Sequence, residues 1–124
     1  MASRPLIQPT PVITNGDMTT TLTSKITILT DISVVSYTYS WAGTAPTGIV
    51  SVEVSNDYTQ NAAGATANPG TWNTLPLSTT PTVSGDTGNG GIDIECTGFY
   101  AIRTVYTPIS GTGALQCTIK AKVQ

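Results

Sequence analysis

The sequence predicts an all-β protein, specifically a single-domain antiparallel β-sandwich of jelly-roll type with an extended N-terminal arm. Threonine occurs 24 times among the 124 residues, and β-branched side chains dominate every apolar stretch, as is typical of pleated, half-buried strands. Apolar residues nowhere recur with a helical period over three turns. The alternating segments instead suggest seven or eight short strands at a spacing of roughly 8–12 residues, which is the pattern of a sandwich or barrel.

The clearest predicted strand covers residues 34–41. Its large apolar side chains alternate with Ser and Thr, so one face is buried and the other is solvated. A turn containing Pro46 and Gly48 follows, and residues 49–55 alternate again with three valines on the inward face. We predict that these two strands form an antiparallel hairpin.

Five further segments are predicted to be extended: residues 20–29 (one or two strands, with Ile26 and Ile28 inward), 72–77, 92–96, 99–107 and 114–123. The segment 99–107 carries apolar groups on both faces, which is typical of a central strand or one covered by a neighbouring subunit. The Gly-rich stretches "PTVSGDTGNGG" and "PISGTG" are predicted to be turns.

Residues 59–70 form a long stretch that is almost wholly small and polar. Loops of this length without structure of their own are uncommon in compact domains and tend to be functional or disordered. Asn61 begins a run of small side chains, which lose few rotamers when the segment becomes ordered. We therefore predict that this loop is an association element.

Residues 1–17 are predicted to be an extended arm outside the sandwich domain, which takes up residues 18–124. Prolines cannot donate freely to a ladder and favour a polyproline-like course, and this segment has three: Pro5, Pro9 and Pro11. Its apolar residues are the candidate contacts to a partner: Leu6, Ile7, Val12 and Ile13.

Composition argues against several function classes. Charged residues make up 10% of the chain, seven acidic against five basic, so no basic stripe is available for a phosphate backbone and we expect no nucleic-acid partner. The N-terminus has no apolar segment of the kind that signal peptides carry, and the apolar stretches are too short for a membrane span. We expect neither secretion by a signal peptide nor membrane insertion.

The residues also argue against catalysis and cofactor binding. The chain has no histidine, which removes the commonest general base and metal ligand at neutral pH. Asp93 and Glu95 share one strand face and would be joined by Glu53 if the two strands are neighbours, but nothing supplies the apolar pocket that a catalytic carboxylate pair needs. We expect no enzyme activity, with no catalytic, cofactor-binding or metal-binding residue.

Two cysteines and one Gly-rich turn are the remaining candidates for a metal site. Cys96 and Cys117 lack the paired spacing of a zinc site, and each shares a face with apolar residues, so we predict two reduced, buried thiols. The "GDTGNGG" segment around Asp86 lacks the alternating acidic residues of a calcium loop. It is predicted to be a connection between strands.

Three larger side chains remain as candidate contacts. Trp72 either stacks on a sugar or seals the edge of the sandwich where the long loop returns, and the second role is the commoner one for a large aromatic residue in a small β domain. Tyr58 lies at the start of the same loop. Arg103, the one charge within its doubly apolar strand, either pairs with a carboxylate or reaches a neighbouring subunit, because unpaired burial would be costly.

Four segments share a recurring pattern: "GIVSVEVSNDY", "GTWNTLPLS", "GNGGIDIECTGFYAIRTVY" and "SGTGALQCTIKAKV". Together they resemble small virion structural proteins of tailed and other bacteriophages, over residues 34–123. The pattern is a strand ending in Val-Ser-Asn-Asp, a variable loop, Trp before a Leu-Pro-Leu strand, an Ile-Asp-Ile strand and an aromatic-Ile-Arg strand joined through Ser-Gly-Thr-Gly to the last one.

This resemblance implies a non-enzymatic component of a virion: most simply a capsid decoration or cement protein, or else a small head or tail structural protein. The implied partners are the major capsid protein or neighbouring virion subunits, with a homo-oligomer (dimer or trimer) and a location in the virion, assembled in the host cytoplasm. The Ser-Asn-Asp…Trp portion also resembles discoidin-type sugar-binding sandwiches. The alternative is therefore a carbohydrate-binding or host-adhesion module with a loop-side patch of Asn56, Asp57, Tyr58 and Trp72.

Overall fold

The computed structural model describes residues 6–30, 32–77, 79–95 and 98–122. Every regular element within these ranges is a β-strand, which confirms the all-β prediction. Ten strands follow one another along the chain: β1 (Leu6–Asp17), β2 (Leu22–Thr23), β3 (Thr27–Ile28), β4 (Val34–Ser55), β5 (Thr59–Gln60), β6 (Thr66–Asn68), β7 (Asn73–Thr74), β8 (Thr82–Val83), β9 (Thr87–Glu95) and β10 (Ala101–Lys122).

The centre of the fold is a ribbon of two long antiparallel strands. β4 and β10 each contain 22 residues and pair along their whole length, from Val34 opposite Lys122 to Ser55 opposite Ala101. The alternation predicted for β4 is confirmed, because its inward side chains are buried: Val35, Tyr37, Tyr39, Trp41, Val50, Val52 and Val54.

Different strands flank the two halves of this ribbon. Residues 34–42 and 114–122 lie between β9 and β1, giving the order β1-β10-β4-β9. Residues 48–55 and 101–108 lie between the short strands β7 and β8 on one side and β2 and β3 on the other. All of these pairings are antiparallel.

The predicted hairpin between residues 34–41 and 49–55 is wrong, and its turn is a corner in one continuous strand. The "AGTAPTG" segment of β4 lies opposite the "PISGTG" segment of β10, where the ladder has two register shifts. Ala45 (φ 47°) and Gly111 (φ 81°) both adopt left-handed backbone at this point. Extra residues and left-handed backbone bend a paired ribbon. The two Gly- and Pro-containing segments that were predicted to be separate turns therefore form one corner together.

The ribbon folds back on itself at this corner. The Leu29 amide donates to the Tyr100 carbonyl (2.8 Å), and the Ser33 amide donates to the Lys122 carbonyl (3.2 Å). Four residues span at most about 14 Å, whereas a straight strand of the length of β10 would extend about 70 Å. The two ends of β10 are therefore close in space.

One hydrophobic core serves both halves of the ribbon. Its buried members come mainly from β1, β4, β8, β9 and β10, with others from the connections before β2 and β4. They include Val12, Tyr37, Val52, Val83 and Ile119. Leu22, Leu75 and Phe99 pack against it from short strands and loops.

The N-terminal segment differs from the predicted arm. Its residues 6–17 form β1, an edge strand paired with β10 from Leu6 opposite Lys122 to Asp17 opposite Ala114. Pro9 and Pro11 are tolerated because an edge strand pairs on one side only, and register shifts interrupt the ladder between Ile7 and Thr10 and again after Pro11. Residues 1–5 lie outside the described part of the chain.

The other predicted strands are displaced in their bounds. Residues 72–77 contribute only β7, residues 20–29 contribute β2 and β3, and β9 begins at Thr87, inside the predicted Gly-rich turn. The long loop has structure of its own, because β5 pairs with β6 in a small hairpin.

Candidate functional site

Four side chains meet on the outer face of β4 and β10, beside the long loop, and we call them the tryptophan cluster: Glu53, Tyr58, Trp72 and Arg103. Glu53 and Arg103 are directly opposite each other in the ladder. Arg103 Nε donates to Glu53 Oε1 at 2.8 Å, and its second guanidinium nitrogen lies 2.8 Å from the same oxygen. Of the two roles expected for Arg103, pairing with a carboxylate is the one that the structure shows.

Trp72 lies over this ion pair. The centroid of its ring is 4.1 Å from Arg103 Cζ, the distance of a cation–π contact, which contributes about 0.5–1 kcal/mol at a partly exposed site. The indole N–H donates to the Pro69 carbonyl at 2.8 Å, so both the ring and its polar edge are engaged. Trp72 therefore packs on the outer face of the sheet, over the ion pair.

Tyr58 connects the cluster to the β5–β6 hairpin. It is only 3% exposed, and its ring centroid lies 5.9 Å from that of Trp72. Gln60 Nε2 donates to its hydroxyl at 3.1 Å, and the Thr66 hydroxyl lies 3.4 Å away. Because Gln60 and Thr66 belong to β5 and β6, Tyr58 anchors both hairpin strands.

The base of the loop is fastened by polar side chains. Asp57 Oδ1 accepts hydrogen bonds from the Thr71 amide (2.7 Å) and from the Ser55 hydroxyl (2.8 Å), and these bonds hold the pKa of Asp57 below its usual value. Asn56 Oδ1 accepts from the Tyr100 amide at 2.9 Å. The polar groups of the predicted sugar patch thus brace the loop.

Asn61 lies apart from the tryptophan cluster, in the turn of the hairpin. Its Oδ1 accepts from the Ala63 amide (2.9 Å) and from the Ala65 amide (3.0 Å). Gly64 has left-handed backbone (φ 82°), and a Cβ atom added there would have no described atom within 4 Å beyond Gly64 itself and its two chain neighbours. The tip of the hairpin is therefore a defined turn whose small side chains are exposed.

The N-terminal residues predicted to bind a partner serve the fold itself. Val12 is 6% exposed and Ile13 is 9% exposed, both within the core, and Ile7 packs against that core. The prediction of a contact surface for Val12 and Ile13 is wrong, because pairing with β10 turns these side chains inward. Leu6 pairs with Lys122, and its side chain lies outside the described structure.

Glu53 does not join Asp93 and Glu95, because it lies on the other half of the ribbon. Asp93 lies opposite Ser36 and Glu95 opposite Val34, whereas Glu53 lies between Arg103 and Thr74. Within the described ranges, no group of three His, Cys, Asp or Glu side chains is placed to hold a metal ion.

Cys117 is a free thiol, 2% exposed, as predicted. Burial raises the pKa of its thiol to about 12, so the side chain is protonated and unreactive at neutral pH. Cys96 lies outside the described residues.

Two exposed lysines were not among the candidate site residues predicted from the sequence. Lys120 and Lys122 alternate with Ala121 in β10 and are exposed on the same sheet face as Asp93 and Glu95. The signal was present in the alternating tetrapeptides "IKAK" and "IDIE", but the register that places them on one face is a tertiary property.

The remaining structural observation concerns membranes: no helix in the described ranges has the length and apolar character needed to cross one. The chain was also compared with protein-family models, with curated proteins and with solved structures, and none of these comparisons found a match.

Proposed function

We propose that this protein is a non-enzymatic structural component of a bacteriophage virion, a decoration or cement protein that binds the shell of the major capsid protein and stabilises it. The observation that carries the proposal is the order in which the strands flank the two halves of the folded ribbon. The resemblance of the sequence segments to small virion proteins points the same way.

We infer from the strand order that the fold is a β-sandwich of jelly-roll type. If the corner divides β4 and β10 into two strands each, and β2–β3 and β7–β8 each count as one, eight strands follow in chain order. The two flanked halves then have the orders 1-8-3-6 and 2-7-4-5. An eight-stranded double sheet of this kind is the architecture of viral capsid and lectin domains.

The braced hairpin supports the role of a shell-binding protein. Tyr58 and Asp57 fasten its base, while the tip around Ala62 and Ala63 is exposed and carries little side-chain bulk. A projection that is already ordered loses less conformational entropy on binding than a free loop does. It suits repeated contact with neighbouring subunits of a shell.

A sugar-binding role is the second candidate, and one observation favours it. A depression of about 280 Å³ beside the loop is lined in part by the polar residues Asn56, Asp57, Thr71 and Asn73. Against it, Tyr58 is buried and Trp72 lies on Arg103, so the aromatic faces expected to stack on a sugar are engaged within the protein.

The test is binding to shells assembled from the major capsid protein of the same virus. The protein should cosediment with these shells up to a fixed ratio and raise their melting temperature, because a ligand of the assembled state stabilises it. The variant Ala63→Glu, at the hairpin tip, should bind more weakly. Thr21→Glu, an exposed position in the turn after β1, should bind as the unaltered chain does.

A glycan array separates the two candidates. Failure to bind shells, together with glycan binding that Asn73→Ala removes, would overturn the proposal in favour of the sugar-binding module. Shell binding without glycan binding would support it.

A further inference from the structure

One sheet face carries four exposed charges arranged in two columns. It is the outer face of the half formed by β1, residues 114–122, residues 34–42 and β9. In β9 the acidic side chains Asp93 and Glu95 alternate with buried isoleucines, and in β10 Lys120 and Lys122 flank buried Ala121. We call these four charges, with Val34 and Ser36 between them, the charged face.

The register sets the two columns at matching heights. Ser36 lies opposite Lys120 on one side and Asp93 on the other, and Val34 likewise lies between Lys122 and Glu95. One strand, β4, separates the columns, so they are about 10 Å apart. Both columns have the two-residue spacing of a strand.

Among the described residues, these charges have no side-chain partner. Across the described residues, the one salt bridge within 4.0 Å joins Arg103 to Glu53, and no hydrogen bond involves the side chain of Asp93, Glu95, Lys120 or Lys122. The surface between the two columns is concave. It forms a depression of about 270 Å³ lined by Val34, Ser36 and the four charged residues.

The arrangement is complementary to itself under one symmetry operation. A two-fold axis that lies in the contact plane and runs along β4 exchanges the two columns and keeps each residue at its height. The second copy's Asp93 then faces Lys120, its Glu95 faces Lys122, and the same contacts recur on the other side of the axis. A two-fold axis across the strands would instead set lysine against lysine and acid against acid, which is repulsive.

We propose that the charged face is a self-association surface at which two copies of this chain pack face to face about a two-fold axis along β4. The contact is isologous, as closed dimers require, and it forms four ion pairs around a centre made by Val34 and Ser36 of both copies. Two sheets that pack face to face keep their strand directions within about 30° of each other. The neighbouring outward positions hold the small residues Thr38, Ser40 and Gly91, which leave room for a second sheet.

The size of the face indicates a weak dimer. Four strands about 4.8 Å apart and nine residues long present roughly 500–600 Å² per copy, somewhat below the ~800 Å² per partner of a standard stable interface. Exposed ion pairs are screened by salt. We therefore expect association in the micromolar range that weakens as salt is added. The proposal does not rest on the virion function.

The experiment is a charge swap followed by sedimentation equilibrium of the full-length protein. One variant carries Asp93→Lys and Glu95→Lys, the other Lys120→Glu and Lys122→Glu. In each, all four columns of a homodimer have one sign, so the dissociation constant should rise about tenfold or more. Lys25→Glu changes an exposed charge outside this face and should leave dimerisation unchanged.

Mixing the two swapped variants makes the test decisive. Every facing pair is then of opposite sign, so a heterodimer should form with an affinity close to that of the unaltered chain, and a single chain with all four substitutions should also dimerise. Recovery in both cases supports the proposal and shows that the variants are folded. Three results would each overturn the proposal. The unaltered chain could be monomeric at all concentrations tested, its dissociation constant could be the same in both swapped variants, or mixing the two variants could fail to restore dimerisation.

Discussion

At the scale of one residue, Tyr37 places a hydroxyl group without a described hydrogen-bond partner in the core. Its side chain is fully buried, and its hydroxyl oxygen has no hydrogen-bond partner among the described residues. Burial, and secondarily the Cys117 thiol, raise the pKa of this phenol well above its usual value. A buried hydroxyl without a partner costs free energy, because it gives up its bonds to water.

We expect Tyr37→Phe to stabilise the protein by about 1 kcal/mol or leave it unchanged. The control is Tyr106→Phe, since the Tyr106 hydroxyl donates to the Thr47 carbonyl at 3.1 Å and its loss should destabilise by about 1 kcal/mol. Urea denaturation of both variants measures the free energy of unfolding. Equal losses in the two would mean that the Tyr37 hydroxyl has a partner after all.

At the scale of the element, the corner of the ribbon depends on a close approach between its two strands. A Cβ at Gly111 would lie 2.1 Å from the Ala45 carbonyl oxygen, and Gly111 also has left-handed backbone. Gly85 has similar backbone (φ 86°), but the nearest atom to its Cβ position is 3.9 Å away. An alanine at Gly85 would therefore cause backbone strain alone, whereas an alanine at Gly111 would cause the same strain and a steric clash.

Gly85→Ala should cost about 1–2 kcal/mol through backbone strain alone. Gly111→Ala should cost about 3 kcal/mol or more, because the clash adds to the same strain. Thermal and urea unfolding of the pair provide the comparison. Similar losses would indicate that the corner can open without penalty.

The edge strand β1 is the second element whose role the structure assigns. Ile13 is in the core, so Ile13→Ala should lower the free energy of unfolding by about 2–4 kcal/mol. The neighbouring exposed Thr14 is the matched control, and Thr14→Ala should stay within about 0.5 kcal/mol. A free arm would give two neutral substitutions, and that result would contradict the pairing of β1 with β10.

At the scale of the whole molecule, the long strands join both halves into one cooperative unit. β4 and β10 run through both halves, and the core draws side chains from each. Trp41 belongs to one half, where its indole N–H donates to the Gly85 carbonyl (3.1 Å), and Trp72 belongs to the other. Each can report on its own half.

We expect the single-tryptophan variants Trp72→Phe and Trp41→Phe each to unfold in one transition whose fluorescence midpoint coincides with that from far-ultraviolet circular dichroism. The two variants will differ in stability, so the comparison is between probes within each variant. Separate midpoints within one variant would show that the halves unfold independently.

The sequence by itself determined the strand character of the chain and the inward faces of its main strands. Period-two alternation is a local property, and the burial of Tyr37, Val52 and Ile92 follows from it. Charge alone also indicated that Arg103 needs a partner, since a half-buried guanidinium is costly without one.

Only the tertiary structure decided which strands are neighbours. Alternation tells which face a side chain takes but not which segment pairs with it, because ladder hydrogen bonds join backbone groups of any sequence. Glu53 and Arg103 are 50 residues apart, so their pairing has no local signal. For the same reason "AGTAPTG" became a corner instead of a hairpin turn: the strand after it pairs with β10, and the Gly and Pro residues permit a bend without dictating its partner.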